Sequence, residues 1–390
     1  MLSQPRHPAT GLVVMIRALE GGGAQRDMVL LCNALAAKGV TPTIVTLQGD
    51  GPLRSLLDPA IRVIEVPGGK LRYALAGLRR AIRSVAPSVV VSSEAGLNLC
   101  ALIAVRTLPR RCRPKLVLRE VNSPSVAQYR DPYLQNRIAY RILRWFYRRA
   151  DRIIALTDGD GRELERVFSV PEEIISVMRV NAVIPPAIVR QLAQWDGESG
   201  RERDLIVCVA RLSPEKDQRT LLRAMTLMPP ERPWRLAIVG DGVERAALET
   251  FARDIGLAER VIFAGYTVNP FAWLMRARVA VLPSLQEGLP CVLMEALACG
   301  TPVVSTDCSY GPREILQDGR YGTLTPVGDA PAMAAAIEAA LDHTPDRRSL
   351  MARGLNYTAE RAAERFLEIA AEVATIPVGV KEPLAAASRS

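Results

Sequence analysis

The chain has 390 residues, which at roughly 150 residues per domain points to two or three domains rather than one core. A hydrophobic fraction of 49% and a charged fraction of 23% are those of a globular protein and exclude a disordered or fibrous chain. Lys and Arg total 50 against 41 Asp and Glu, a net charge of +9, so an anionic partner is expected: nucleic acid, an anionic membrane or a phosphorylated substrate. Cysteines stand at Cys32, Cys100, Cys112, Cys208, Cys291, Cys299 and Cys308. Their odd number and the lack of a C-x-x-C pair argue against zinc and a disulfide framework, and most read as small buried hydrophobes in a reducing compartment. His7 and His343 are the only histidines, which excludes a multi-histidine metal site. No apolar run approaches the roughly 18 residues of a membrane span. The best, Ala95–Val105, is short and carries Asn98. The N-terminus lacks a charged n-region and Gly11–Ile16 reads as a strand, so a soluble or peripherally bound cytoplasmic protein is expected.

In chain order, Leu12–Ala18 reads as a strand, followed by Gly21-Gly22-Gly23 and a helix over Ala24–Lys38 capped by Gly39. Strands follow at Thr43–Leu47 and Ile61–Val66, then a helix at Leu71–Val85. Further strands are Ser88–Ser92, Lys115–Arg119, Arg152–Leu156 and Ile174–Met178. Near Asn181–Gly200 the alternation stops, and Pro185-Pro186 and Asp196–Gly200 are turn-forming. It restarts with strands at Leu205–Ala210, Arg235–Val239, Arg260–Ala264, Val279–Pro283 and Pro302–Thr306. The helices of this half are Gln218–Met228, Val243–Ile255, Pro290–Cys299 and Ala330–Asp342. Strands alternating with helices imply parallel βαβ units. The expected fold class is α/β, two Rossmann-like doubly wound domains facing an interdomain cleft. The expected division is 1–181, a linker over 182–203, 204–356, and a segment 357–390 whose long helix, Thr358–Val373, is free to cross back to the first domain.

Three loops carry candidate chemistry. Arg211 and Lys216 follow the strand Leu205–Ala210 and precede a helix; two cations at a sheet mouth beside a helix N-terminus make an anion site. The bland alternative is a pair of solvated cations. In Glu287–Glu295, Pro290 suits the first helical position, and Gly288 allows close ligand approach. The Gly288 and Leu289 N–H groups suit a diphosphate. Glu295, amid apolar neighbours, needs hydroxyl or N–H partners, from a sugar or from a neighbouring loop. Gly21-Gly22-Gly23 is weak by itself, and with Arg26 in place of the last glycine of G-x-G-x-x-G a nicotinamide dinucleotide site is disfavoured.

Together the stretches VARLSPEKDQRTLLRAM, LAIVGDGVERAALE and VIFAGYTVNPFAWLMRARVAVLPSLQEGLPCVLMEALACGTPVVSTDCSYGPREIL resemble the retaining nucleotide-sugar glycosyltransferases of family 4, which have the GT-B fold. The resemblance covers nearly the whole chain. It implies that Arg211 and Lys216 neutralise the donor diphosphate, and that Glu287 and Glu295 end a Glu-x7-Glu motif, with Glu287 facing the donor sugar and Glu295 the ribose. It implies that Gly288 and Leu289 offer N–H groups, that Ala264–Asn269, with Tyr266, holds the base, and that Gly22 and Gly23 close on the phosphates. The family's usual Glu after Gly-Gly-Ala is here Gln25, and its usual N-domain His is absent from Arg119-Glu120-Val121-Asn122. Glu120 or Asn122 is then the candidate for positioning the acceptor.

One motif stands apart. Arg137, Arg141, Arg144 and Arg148 form one helical stripe beside Ile138, Ile142, Leu143, Trp145 and Phe146. The stripe fits an anionic membrane surface, or else a core-packed helix with a solvated face. No recognition motif for nucleic acid accompanies the charge.

The function expected is hexosyl transfer from a nucleotide diphosphate, UDP in the first instance, to a glycan or lipid-linked acceptor, with retention, in polysaccharide or glycolipid synthesis. No metal or other cofactor is expected, the two cations standing in for Mg²⁺. The place expected is the cytoplasm, peripherally on the inner membrane face. A nucleotide-sugar epimerase and a non-enzymic membrane-binding protein on a degenerate GT-B fold are the alternatives.

Overall fold

The structure is a computed structural model and describes residues 11–67, 71–130, 134–343 and 346–375. The first sheet comprises β1 (Leu12–Ala18), β2 (Thr43–Gln48), β3 (Arg62–Glu65), β4 (Val89–Ser93), β5 (Lys115–Arg119), β6 (Arg152–Ala155) and β7 (Ile175–Val177). The second comprises β8 (Leu205–Val209), β9 (Arg235–Val239), β10 (Val261–Gly265), β11 (Val279–Leu282), β12 (Val303–Thr306) and β13 (Thr323–Thr325). The strand orders are β3-β2-β1-β4-β5-β6-β7 and β10-β9-β8-β11-β12-β13, and the paired strands run parallel. A parallel sheet is covered on both faces, which is why strands such as Val89–Ser93 are buried at every position.

In each sheet the chain reverses its winding direction at one point, between β1 and β4 in the first and between β8 and β11 in the second. Beyond the carboxyl ends of strands at such a point the connections diverge and leave a crevice. The four loops that leave β1, β4, β8 and β11 are thereby set around one space.

One apolar cluster covers the outer helices of the first half and another those of the second. A third runs through both halves, joining Met28 and Leu35 to Leu289, Leu293 and Phe366. The last helix, Ala359–Thr375, contributes Phe366, Ile369 and Val373 to it. An ion pair of 2.8 Å between Lys38 and Glu364 ties this helix to the one over Gly23–Ala37.

One departure from the expected elements has a local cause. The stretch read as wholly irregular contains a helix at Pro186–Gln194, because Pro185 and Pro186 preset its first turn and Ile188 and Leu192 bury at one-turn spacing. The apolar run Ala95–Val105 is the body of a helix, Ala95–Arg106, packed beneath the cleft. Among the cysteines, Cys32, Cys208, Cys299 and Cys308 are buried, while Cys112 is exposed and Cys100 and Cys291 are half-buried.

Candidate active site

The loop after β8 places Arg211 on the cleft wall, and a short turn over Pro214–Lys216 brings Lys216 beside it. Lys216 Nζ donates to Glu287 Oε1 at 2.7 Å, and Ser284 Oγ donates to the same oxygen at 2.6 Å. Burial works against the charged form of Lys216, but the adjacent Glu287 carboxylate prevails and its pKa lies above the ordinary lysine value. Glu287, 8% exposed, thus orients Lys216 toward the cleft that both line.

The loop Glu287–Pro290 leads into the helix Cys291–Ala298, with Pro290 at its N-cap. Gly288 is needed for contact between the halves: a Cβ there would lie 1.9 Å from the Val121 carbonyl oxygen. Neither the Gly288 nor the Leu289 N–H has a backbone acceptor among the described residues, so both remain donors on the cleft side.

Glu295 is only 3% exposed, and burial pushes its pKa up against the opposing pull of Arg26. Its expected polar partners were sugar hydroxyls or a neighbouring loop. The structure supplies a cation instead, because Arg26, from the helix Gly23–Ala37, forms an ion pair with Glu295 Oε1. Arg26 also lies over the Phe271 ring, 5.7 Å from its centre. The residue that breaks the dinucleotide fingerprint is therefore the one that crosses the cleft.

On the first-domain side, Gly22 caps that helix with φ 142°, a conformation that glycine adopts readily. A Cβ on Gly22 would meet Gln25 Oε1 at 2.3 Å and Arg211 Nη2 at 2.8 Å. The glycine loop thus lies directly against the Arg211 guanidinium, and Gly23 lines the same space. Tyr266 projects from the opposite wall until its ring is 2.7 Å from where a Gly21 Cβ would stand. Gln25 Nε2 donates to Glu94 Oε1 at 2.7 Å, and Arg17 Nε pairs with the other oxygen at 3.2 Å.

These residues and their neighbours enclose a cleft of about 800 Å³ that brings together Gly22, Gly23, Arg211, Lys216, Tyr266, Glu287, Gly288, Leu289 and Glu295. Of the two acceptor candidates, Asn122 lines the cleft. Glu120 does not: it is 1% exposed and its Oε1 accepts from Asn98 Nδ2 and Tyr147 Oη, both at 2.9 Å. Burial pushes its carboxyl up to about 7, against the pull of those donors. Both residues lie just beyond β5, two positions apart, so strand alternation does not separate them; the inward donors Asn98 and Tyr147 hold Glu120 in the first domain's core.

Sequence reasoning missed the buried frame that fixes the two halves. Arg119 pairs with Asp27 at 2.5 Å and donates to Asn181 Oδ1 at 2.6 Å. Asn181 Nδ2 in turn reaches the Leu289 carbonyl at 3.2 Å. The available signal was a charge, Arg119, directly after the apolar run Leu116–Leu118.

In the helix Leu134–Phe146 the buried face is Ala139, Tyr140 and Leu143. Arg141, Arg144 and Arg148 are exposed, and Arg137 is half-buried. Leu134, Ile138, Ile142 and Trp145 are also exposed, Trp145 by 73%, so the outer face is mixed apolar and basic. At the inner end Gln135 and Asn136 line the cleft. No helix among the described residues is long and apolar enough to cross a membrane.

Residues 21–179 match the profile of Glycosyltransferase Family 4, and residues 203–343 that of Glycosyl transferases group 1. The chain belongs to glycosyltransferase family 4. This glycosyltransferase is 28% identical over 341 residues to the lipopolysaccharide core biosynthesis glycosyltransferase LpsE of Rhizobium meliloti, a match covering 85% of this chain and 89% of that one. It is 26% identical over 356 residues, 87% of this chain and 92% of the relative, to a Campylobacter jejuni enzyme. That enzyme is named N-acetylgalactosamine-N,N'-diacetylbacillosaminyl-diphospho-undecaprenol 4-alpha-N-acetylgalactosaminyltransferase. Among solved structures, Anabaena HepE in complex with UDP superposes with a TM-score of 0.72 at 18% identity, over 93% of this chain and 100% of that one. Sucrose-phosphate synthase from Thermosynechococcus elongatus gives 0.73 at 20% identity, over 93% and 98%. The fold is GT-B, as the family resemblance implied.

Proposed function

We propose that this glycosyltransferase moves a hexose-type sugar from a UDP-sugar to a lipid-linked or glycan acceptor, with retention of configuration, in polysaccharide or glycolipid synthesis. The observation that carries the reading is the convergence of Arg211, Lys216 and the free N–H groups of Gly288 and Leu289 on one cleft wall. Negative charge grows on the diphosphate as the glycosidic bond breaks, and fixed cations and N–H dipoles stabilise that charge without reorganising. Arg211 and Lys216 take the place of a metal ion in this scheme. The acceptor hydroxyl attacks the anomeric carbon from the face that the diphosphate leaves; its oxygen bonds to that carbon as the carbon–phosphate oxygen bond breaks. The proton passes to the departing phosphate oxygen. Glu287 faces the sugar and holds Lys216, while Glu295 offers its second oxygen to ribose and Tyr266 borders the base. UDP is supported by HepE, solved with UDP and with UDP-glucose.

A lipid-linked acceptor is supported by relatives named for diphospho-undecaprenol substrates. It is also supported by the helix Leu134–Phe146, whose Gln135 and Asn136 border the cleft while Trp145, Ile138, Arg141 and Arg144 face outward, with Arg148 exposed in the turn just beyond its end. That face suits a cytoplasmic anionic leaflet, with the apolar side chains in the interface and the arginines at the headgroups. The test is thermal shift with UDP, GDP and ADP. Transfer from UDP-hexoses to undecaprenyl-diphosphate-linked N-acetylhexosamine is then followed, with the product's anomeric configuration read by NMR. Stabilisation by UDP and a retained configuration are expected; an inverted product, or stabilisation by ADP or GDP alone, overturns the reading.

A further inference from the structure

Glu94 stands at the carboxyl end of β4, at the winding reversal of the first sheet, and lines the cleft. Its backbone has φ 79° and ψ 135°, a region that side-chain-bearing residues rarely enter and glycine enters readily. Only glycine would relieve this geometry, yet a carboxylate is placed there and held from two sides. Gln25 Nε2 fixes one oxygen at 2.7 Å and Arg17 Nε faces the other at 3.2 Å. The Gln25 side chain and Arg211 Nη2 both crowd the open face of Gly22. Glu94 also feels the charge of Arg211, the cation assigned to the donor diphosphate. Burial keeps its carboxyl above the ordinary range in spite of Arg17, Arg211 and Gln25.

A carboxylate so close to the diphosphate site would repel phosphate, so its ligand is a hydrogen-bond donor without negative charge. The same cleft is lined by Gly96, Asn122, Gln135, Asn136 and Tyr140, all from the first domain. We propose that Glu94 binds the acceptor's attacking hydroxyl, accepting its hydrogen bond and aiming the oxygen at the anomeric carbon. This also gives Gln25 a role: an amide at position 25 donates to Glu94, whereas a carboxylate there would repel it.

The assignment rests on the glycosyltransferase reading above, and the test separates the two. Glu94→Gln keeps the shape and the contact with Gln25, and Glu94→Gly removes the backbone strain. Affinity for UDP is measured by calorimetry, transfer with a UDP-hexose and undecaprenyl-diphosphate-linked N-acetylhexosamine, and donor hydrolysis with water in the acceptor's place. Both variants are expected to bind UDP within about threefold of wild type and to lose on the order of 30-fold or more in kcat/KM for the acceptor. Glu94→Gly is expected to melt no lower than wild type. Transfer by either variant within about threefold of wild type overturns the assignment, and so does a matching loss of UDP affinity, which would make Glu94 a brace for the donor site. A wild type that binds UDP but does not transfer to this lipid overturns the acceptor reading instead. Hydrolysis then decides Glu94, and unchanged hydrolysis in Glu94→Gln sinks it.

Discussion

Arg211→Ala isolates the donor clamp, because the two cations that form it are held differently. Lys216 is paired with Glu287, whereas Arg211 makes no ion pair among the described residues and is half-buried against the glycine loop. A hydrogen bond to a charged group is worth about 1.5–3 kcal/mol, which corresponds to roughly a 10- to 150-fold loss of UDP affinity in the variant. Uridine lacks the diphosphate and should bind Arg211→Ala and wild type alike. Because Arg211 makes no ion pair and acts on Glu94 only at longer range, behind Arg17 and Gln25, the melting temperature should stay close to that of wild type. Lys216→Ala removes a comparable ligand contact but also leaves Glu287 held by Ser284 alone. It should therefore lose stability as well, on the order of 1–3 kcal/mol for a carboxylate stripped of its buried partner. Calorimetric titration with UDP and with uridine, together with thermal melts of both variants, gives the comparison. Equal weakening for uridine and UDP in Arg211→Ala, or UDP affinity within about threefold of wild type, would refute the clamp.

Arg26→Met should destabilise the fold by about 3–5 kcal/mol, since Glu295 would be left charged and buried, and the double variant with Glu295→Gln should recover much of that loss in urea unfolding. Glu120, pushed up to about 7 by burial, holds its proton more tightly folded than unfolded. Its contribution to stability is complete below about pH 4.3 and is lost as pH rises through 7, a fall of roughly 3 kcal/mol that Glu120→Gln should flatten in unfolding curves between pH 5 and 8. Changing the exposed Arg141, Arg144 and Arg148 together to Ser should weaken binding to anionic liposomes by about 3 kcal/mol at low salt. Transfer to a soluble acceptor should be unaffected, and liposome binding that equals wild type and ignores salt would exclude a membrane role for this face.

Much of the architecture was legible in local pattern. β1, β5 and β9 and the helix Ala330–Asp342 have the bounds that apolar runs and helical spacing implied, because buried parallel strands write themselves as short continuous apolar segments. β13 was not visible: three residues carry too little periodicity to distinguish a strand from a loop. Arg211, Lys216 and Glu287 were recognisable as cleft residues for a topological reason, since each follows a strand at whose carboxyl end a doubly wound fold opens its crevice. Glu120 follows a strand in the same way, yet it turned inward. Which side a loop side chain takes depends on donors such as Asn98 and Tyr147 that no local pattern announces.

The sequence by itself determined two alternating α/β halves, three loops that carry charge or glycine, and a basic, aromatic helix. Only the tertiary structure decided what each charge faces. Arg26 meets Glu295 across 269 positions of chain and Gln25 meets Glu94 across 69. Periodicity reports which face of an element is buried. Ion pairing reports what lies within a few ångströms once the domains have closed, and that distance exists only in the folded chain.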